Sequence, residues 1–178
     1  MDKRKVIVID DVLSVDSIRT FSENHFNNLP IETSRWVDKG NQPQYITDLV
    51  KVAENYFDLS TAVGYEWWTQ NNSYSNKAWH YDADESNKET FKSPLCSVIY
   101  YPFVAHLNGG YLSTEDVKIK PKTNRMIIMA PEIMHRIEPY NIEEATRWSF
   151  LLNPWNYKLE GTTPSWHIKE VNSENMVK

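Results

Sequence analysis

Thr146-Arg147-Trp148-Ser149-Phe150-Leu151-Leu152 alternates with a period of two: Arg147, Ser149 and Leu151 share one face, and Trp148, Phe150 and Leu152 share the other. That is the alternation of a strand, yet one of its faces carries an arginine. A guanidinium in the middle of an otherwise apolar strand costs stability unless it is paired. Two kinds of partner meet that need: a protein carboxylate at a sheet edge, or a bound dicarboxylate gripped bidentately with Ser149 as a second donor.

From residue 61 up to this strand the chain is a series of short segments broken by Gly, Pro and Asn. Strands are expected at about 63–70, 77–82, 94–103, 110–113, 117–120, 125–130 and 135–139, with the last at 146–152. Many short strands of this kind indicate a barrel or a double-sheet sandwich. Further upstream, Lys5 to Asp10 is a β-branched run and reads as a first strand. Its ending, Ile9-Asp10-Asp11, looks like the acidic start of a receiver domain, but the βαβ alternation that such a domain requires does not follow. Ser14 with Asp16 opens a helix to about Asn24, with Val15, Ile18 and Phe21 on one face. Residues 27–43 carry Asn, Pro and Gly and read as loop. A second helix from about Pro43 to Tyr56 places Tyr45, Leu49, Val52 and Tyr56 on one stripe. The expected architecture is mainly β, with two N-terminal helices packed against the sheets. It forms one domain over residues 1–178, with a core at about 5–155 and a polar tail over 156–178.

A length of 178 residues suffices to bury one core. The net charge of −5 and the lack of a dense Lys/Arg cluster argue against a nucleic-acid partner. Cys96 is the only cysteine, which excludes an internal disulfide; it lies in an apolar run where a thiol behaves as a small hydrophobe. A reducing cytoplasm is the compartment this suggests. The apolar run after the basic start stops at Asp10-Asp11, too short for a signal peptide, and no later run is long enough to span a bilayer. A soluble protein with no membrane partner is expected.

With five His and 24 acidic residues in 178, one His-x-acid pair such as His80-x-Asp82 is close to what random placement gives. Taken alone, it reads as a strand histidine near a solvated carboxylate. On a strand, however, residues two apart point to the same side, so the imidazole and the carboxylate converge on one cation. A distant second histidine would complete a 2-His-1-carboxylate triad, which leaves positions open on Fe(II) for a co-substrate and O2. His135 stands where such a ligand should, at the start of a strand after Met126-Ile127-Ile128-Met129-Ala130 and the turn at Pro131-Glu132.

In order, the chain shows Trp79-His80-Tyr81-Asp82, Ile99-Tyr100-Tyr101, Gly109-Gly110-Tyr111-Leu112, Pro121-Lys122-Thr123-Asn124-Arg125, His135 and Arg147-Trp148-Ser149. This series resembles the 2-oxoglutarate/Fe(II)-dependent oxygenase superfamily, in particular its prolyl-4-hydroxylase-like branch, over about residues 5–155. The resemblance implies a double-stranded β-helix, or jelly roll, of cupin-like build. It implies His80, Asp82 and His135 as metal ligands, with no catalytic residue beyond the metal centre. Arg147 is then the residue that holds the distal carboxylate of 2-oxoglutarate, joined by Ser149. A tyrosine in the 99–101 segment contacts the co-substrate; Tyr101 aligns best, with Tyr74 and Tyr100 as rivals. The cofactors implied are Fe(II), 2-oxoglutarate and O2, with ascorbate as a reductant. The activity implied is hydroxylation of a C–H bond, with release of succinate and CO2, on a protein residue of prolyl type or on a small molecule.

Two departures narrow the likeness. Collagen-type prolyl hydroxylases use Lys where this chain has Arg147, and the longer Arg-rich signature of AlkB-type nucleic-acid demethylases is absent around Arg147. Asn124 replaces a common turn glycine, an exchange that Asn tolerates because it accepts left-handed backbone. The polar stretch from Asp84-Glu85 to Lys92 reads as a solvated loop or as a mobile lid that selects substrate, with Trp79 and Tyr81 flanking the metal strand. His25, His106 and His167 are expected to be solvated or capping. Two other classes compete with the dioxygenase reading: a cupin-like metalloenzyme that does not use 2-oxoglutarate, and a non-catalytic binding module on the same fold.

Overall fold

The computed structural model describes residues 5–25, 34–71, 78–84, 86, 92–161 and 163–164. In chain order the elements are β1 (Val6–Asp10), α1 (Val15–His25), β2 (Arg35–Asp38), α2 (Gln44–Glu54), β3 (Gly64–Asn71), β4 (Ser97–Ala105), β5 (Leu112–Thr114), β6 (Lys118–Ile119), β7 (Arg125–Met129), β8 (His135–Ile137), β9 (Thr146–Trp155) and β10 (Thr163–Pro164). Among the described residues, one sheet runs β1-β7-β4-β9-β3-β2-β10 and a second runs β6-β5-β8.

The period-two alternation of the central strands explains how these layers stack. One face of the large sheet carries Tyr65, Trp67, Val98, Tyr100, Met126, Ile128, Phe150 and Leu152, packed with Phe21 of α1 and with Ile46, Leu49 and Ala53 of α2. The other face carries Ile99, Tyr101, Ile127 and Met129, and meets Leu112 and Ile119 of the small sheet. Two facing sheets with helices covering the outer side of one of them is the jelly-roll arrangement expected. Cys96 is fully buried, and that burial pushes its thiol up to about 12, so it packs as a small hydrophobe.

The turns obey their local chemistry. Gly109 and Gly110 take φ of 91° and 67°, and a Cβ on Gly109 would lie 2.3 Å from the Pro139 carbonyl oxygen. Asn124 adopts the left-handed backbone at φ 60°. Its side chain accepts from the Leu13 N–H and the Tyr100 hydroxyl and donates to the Leu13 carbonyl, tying the N-terminal segment to the sheet. At the start of α1, the Ser14 hydroxyl accepts from the Ser17 N–H, the N-cap anticipated there.

Several expectations are corrected. Residues 35–38, read as loop, form β2 between β3 and β10; Trp36 and Val37 are both buried there, so no alternation announces the strand. The strand expected over 77–82 is a single bridge at His80 among the described residues. Val15 is 82% exposed because it sits in the first turn of α1, ahead of the part that docks. The buried stripe of α2 is Ile46, Leu49, Val50 and Ala53, with Tyr45, Val52 and Tyr56 on its partly buried flank. Beyond Trp155 the chain turns back: Leu159 packs on Trp36 and Trp155, and β10 pairs in parallel with β2. The end of the tail, with His167, lies outside the described residues, as do Tyr74, Glu85 and the side chain of His25. Among the described residues, no helix is long and apolar enough to cross a membrane.

Candidate metal centre

His80 and His135 exchange both backbone hydrogen bonds, at 3.0 and 2.9 Å. Residues paired in this antiparallel way project their side chains to the same side, and the two imidazoles lie with centroids 4.4 Å apart. On its other edge β8 pairs with β5, His135 opposite Thr114, which fixes the height of His135 in the small sheet. Asp82 follows two residues after His80 and brings its Oδ1 to 3.9 Å from His135 Nε2. One ligand atom from each of His80, Asp82 and His135 lies within 4.8 Å of the others, a group that could hold a metal ion.

The histidines are also oriented for that task. His80 Nδ1 lies 3.0 Å from the Ala78 carbonyl, and His135 Nδ1 lies 3.0 Å from the Ile133 carbonyl. A carbonyl only accepts, so Nδ1 carries a proton in both rings, and in the neutral imidazole Nε2 is then the nitrogen with the lone pair. Backbone carbonyls of this kind are the usual devices that aim a ligating imidazole. Two neutral Nε2 atoms and one carboxylate form a donor set suited to Fe(II), with its remaining positions open. The donor chemistry therefore fits the ion that the sequence implied.

Arg147 is 2% exposed and sits on the inner face of β9. It donates from Nη2 to the Tyr101 hydroxyl at 3.3 Å and from Nη1 to the Ser149 hydroxyl at 3.5 Å. Its guanidinium also lies over the Tyr101 ring, 5.1 Å from the centroid, and 5.8 Å from that of Tyr140. Burial pushes the Tyr101 phenol up, and the adjacent Arg147 charge pulls it the other way. Of the rival tyrosines, Tyr100 faces the helix-side core and donates to Asn124. The sequence-predicted trio Arg147, Tyr101 and Ser149 is thus brought together; Tyr140, from the turn opposite Gly109, is the neighbour that sequence reasoning missed.

A cavity of about 570 Å³ opens beside the triad, lined by His80, Tyr81, Asp82, Asp84, Glu66 and Trp68 among others. Asp84 is not a solvated loop residue: it is buried, accepting from the Tyr157 hydroxyl at 2.9 Å and from Ser86. Tyr81 is exposed at the cavity mouth. Trp79 is exposed beneath the Arg136 guanidinium, 4.9 Å from its ring centroid. His106, in a left-handed turn, offers its carbonyl to Asn141 and stands apart from the triad group.

Glu66 and Asn153 were not singled out from the sequence, although they face each other across the β3–β9 ladder. Glu66 accepts from Trp155 Nε1 at 3.2 Å, and burial pushes its carboxyl up against the opposing pull of hydrogen bonds from Ser34 and Trp155. The signal was present in the alternation: Glu66, Trp68 and Gln70 share the face of β3 opposite to Tyr65, Trp67 and Thr69.

No protein-family model matches the chain, and no curated protein does. Solved structures do match. A prolyl-4-hydroxylase from Pseudomonas putida aligns at a TM-score of 0.59 and 14% identity, over 85% of this chain and 93% of that one. A 2OG-Fe(II) oxygenase family oxidoreductase from Burkholderia pseudomallei gives 0.58 and 13%, over 86% of each chain. The viral collagen prolyl hydroxylase of Paramecium Bursaria Chlorella virus-1 gives 0.56 and 16%, over 84% of this chain and 90% of that one. At these identities the likeness is one of fold, and the chain has the jelly-roll fold seen in prolyl hydroxylases and 2OG-Fe(II) oxygenases.

Proposed function

We propose that the chain is an Fe(II)- and 2-oxoglutarate-dependent dioxygenase that hydroxylates a C–H bond, of a prolyl-type protein residue or of a small molecule, with release of succinate and CO2. The observation that carries this reading is the convergence of His80, Asp82 and His135, with both Nε2 lone pairs left for a cation by the Nδ1–carbonyl bonds. Bound there, Fe(II) would supply the redox chemistry that couples oxidation of 2-oxoglutarate by O2 to hydroxylation.

The protein's own part is orientation and exclusion of water. The Asp82 carboxylate would offset part of the metal's charge. Arg147 would fork onto the far carboxylate of 2-oxoglutarate, and Ser149 and Tyr101 on the same inner face would offer it hydroxyl donors. The apolar residues Ile99, Leu112 and Leu151 beside them keep the grip dry and therefore strong. We assign the activity to one domain spanning 1–178 and, from the single buried Cys96, a cytoplasmic setting.

The test supplies Fe(II), ascorbate and 2-oxoglutarate under air and measures succinate. Turnover, coupled to a substrate or uncoupled, is the expected result, and His135→Ala should abolish it together with stoichiometric metal binding. Metal binding by the wild type with no succinate under any condition would favour a metalloenzyme that does not use 2-oxoglutarate. Neither metal binding nor turnover would leave a non-catalytic module.

A further inference from the structure

Among the described residues, the cavity beside the triad is lined by four carboxylates, Glu66, Asp82, Asp84 and Glu160, and by neither Lys nor Arg. Asp82 belongs to the metal group, so three carboxylates remain on the walls where a substrate would lie. A concave, partly desolvated wall concentrates the field of such charges on whatever enters.

A second feature points the same way. Asn153 lines this cavity, is 2% exposed, and among the described residues its Oδ1 has no hydrogen-bond partner. A buried amide oxygen without a donor is costly, and what would satisfy it is an N–H or O–H group. Glu66 stands directly opposite on β3, takes a side-chain hydrogen bond from Asn153, and lines the same cavity. Trp68 and Tyr81 supply aromatic surface to the same cavity, which favours an organic cation over a bare metal ion.

We propose that the substrate is cationic: it carries an ammonium or guanidinium group that seats between Glu66 and Glu160, donates to Asn153 Oδ1, and so presents a neighbouring C–H bond to the metal centre. This rests on the dioxygenase reading and adds its substrate class. The same head group is found on a free basic amino acid and on a basic residue of a peptide, and the two sources are separated by the test.

Isothermal titration calorimetry on the full chain, with Mn(II) and 2-oxoglutarate present and again without them, would use L-lysine, L-arginine and L-norleucine, then acetyl-Gly-Xaa-Gly-amide peptides bearing the same three side chains. A cationic probe should bind about 10-fold to 100-fold more tightly than its norleucine counterpart. Whether the free amino acid or the peptide does so identifies the source. Glu160→Gln, at an exposed position that leaves the fold intact, and Glu66→Gln, checked by circular dichroism, should each shrink that preference. Norleucine binding as tightly as lysine and arginine, no binding of any probe, or a preference untouched by both substitutions would overturn the proposal. If succinate release persisted in those cases, the dioxygenase reading would survive. Conversely, cationic binding in a protein that never releases succinate would keep the cavity's preference and sink the dioxygenase reading.

Discussion

On β9, Phe150 and Leu152 point into the helix-side cluster, whereas Arg147, Ser149 and Asn153 point the other way, toward the small sheet and the cavity, and all five are at most 2% exposed. Solvent exposure does not separate these two faces; chemistry does. The helix side is closed by rings: Phe150 meets Phe21 edge-on at 4.9 Å and stacks on Trp67 at 5.5 Å. The inner side instead buries a cation, a hydroxyl and an amide, groups whose removal from water costs free energy that packing does not return. A sheet selected only for stability would bury two apolar faces, so the inner face of β9 is where the proposed 2-oxoglutarate grip predicts that stability was given up for binding.

Substitutions on the two faces should therefore have crossed effects. Arg147→Ala should raise the 2-oxoglutarate KM about tenfold to a few hundredfold, since a charge-assisted hydrogen bond contributes roughly 1.5–3 kcal/mol. Its melting temperature should move less than that of a core-ring deletion, because removal of a buried charge offsets the cost of orphaning the Ser149 and Tyr101 hydroxyls. Phe150→Ala should do the reverse. Loss of a buried ring costs about 3–5 kcal/mol, which for a domain of this size lowers Tm by roughly 6–20 °C, while KM measured below the transition stays put. Steady-state kinetics and thermal unfolding on both variants decide the matter. An Arg147→Ala protein that melts early but keeps its KM would make the inner face structural and erase the contrast.

The same contrast explains what could be read from the sequence. The alternation at 146–152 announced both faces of β9, and parity places Arg147 and Ser149 together; Tyr101, assigned through the family resemblance, meets them across the β4–β9 pairing, which carries a register shift after Tyr100. Glu66 and Asn153 obeyed the same parity, but what pairs them is the β3–β9 register, a long-range fact that no local pattern contains. β2 escaped notice because Trp36 and Val37 are both buried, covered by strands that arrive from distant parts of the chain. Asp84 looked like part of a charged surface loop; its burial depends on Tyr157, 73 residues on. In α2 the periodicity located the helix, while which part of a broad apolar stripe is central depends on the sheet it meets.

Asn124 gives a smaller test, directed at what holds the helix-side face in place. Its amide joins Leu13 to the hydroxyl of Tyr100, a residue of that face, at distances of 2.8 to 3.0 Å. Asn124→Gly keeps the left-handed backbone but orphans three buried groups, for an expected loss of about 1–3 kcal/mol. Asn124→Ala adds the cost of left-handed backbone, roughly 1 kcal/mol more. Urea unfolding of the two variants should rank them in that order with the KM for 2-oxoglutarate unchanged. An Asn124→Gly protein as stable as wild type would mean that the turn, rather than the amide's bonds, is what Asn124 supplies.

The smallest effect expected lies at the sheet's edge, away from both faces. Asp10 of β1 is held by Arg125 at 2.7 and 2.9 Å and by Lys122 at 3.0 Å. Those hydrogen bonds, from Arg125 first and then Lys122, keep its carboxyl well below the usual carboxylate range in the folded protein. A depressed folded value means that the stabilisation is fully present above the unfolded value of about 3.9 and is lost as pH falls through the folded one. The carboxyl is about a third exposed, so solvent screening holds the contribution to within about 1 kcal/mol. Wild type and Asp10→Asn should accordingly differ by a small, constant margin in urea unfolding above about pH 5, converge as the solution is acidified below about pH 4, and differ less in high salt. A margin that persisted unchanged into acid would show that Asp10 acts through packing of the β1–β7 edge rather than through its charge.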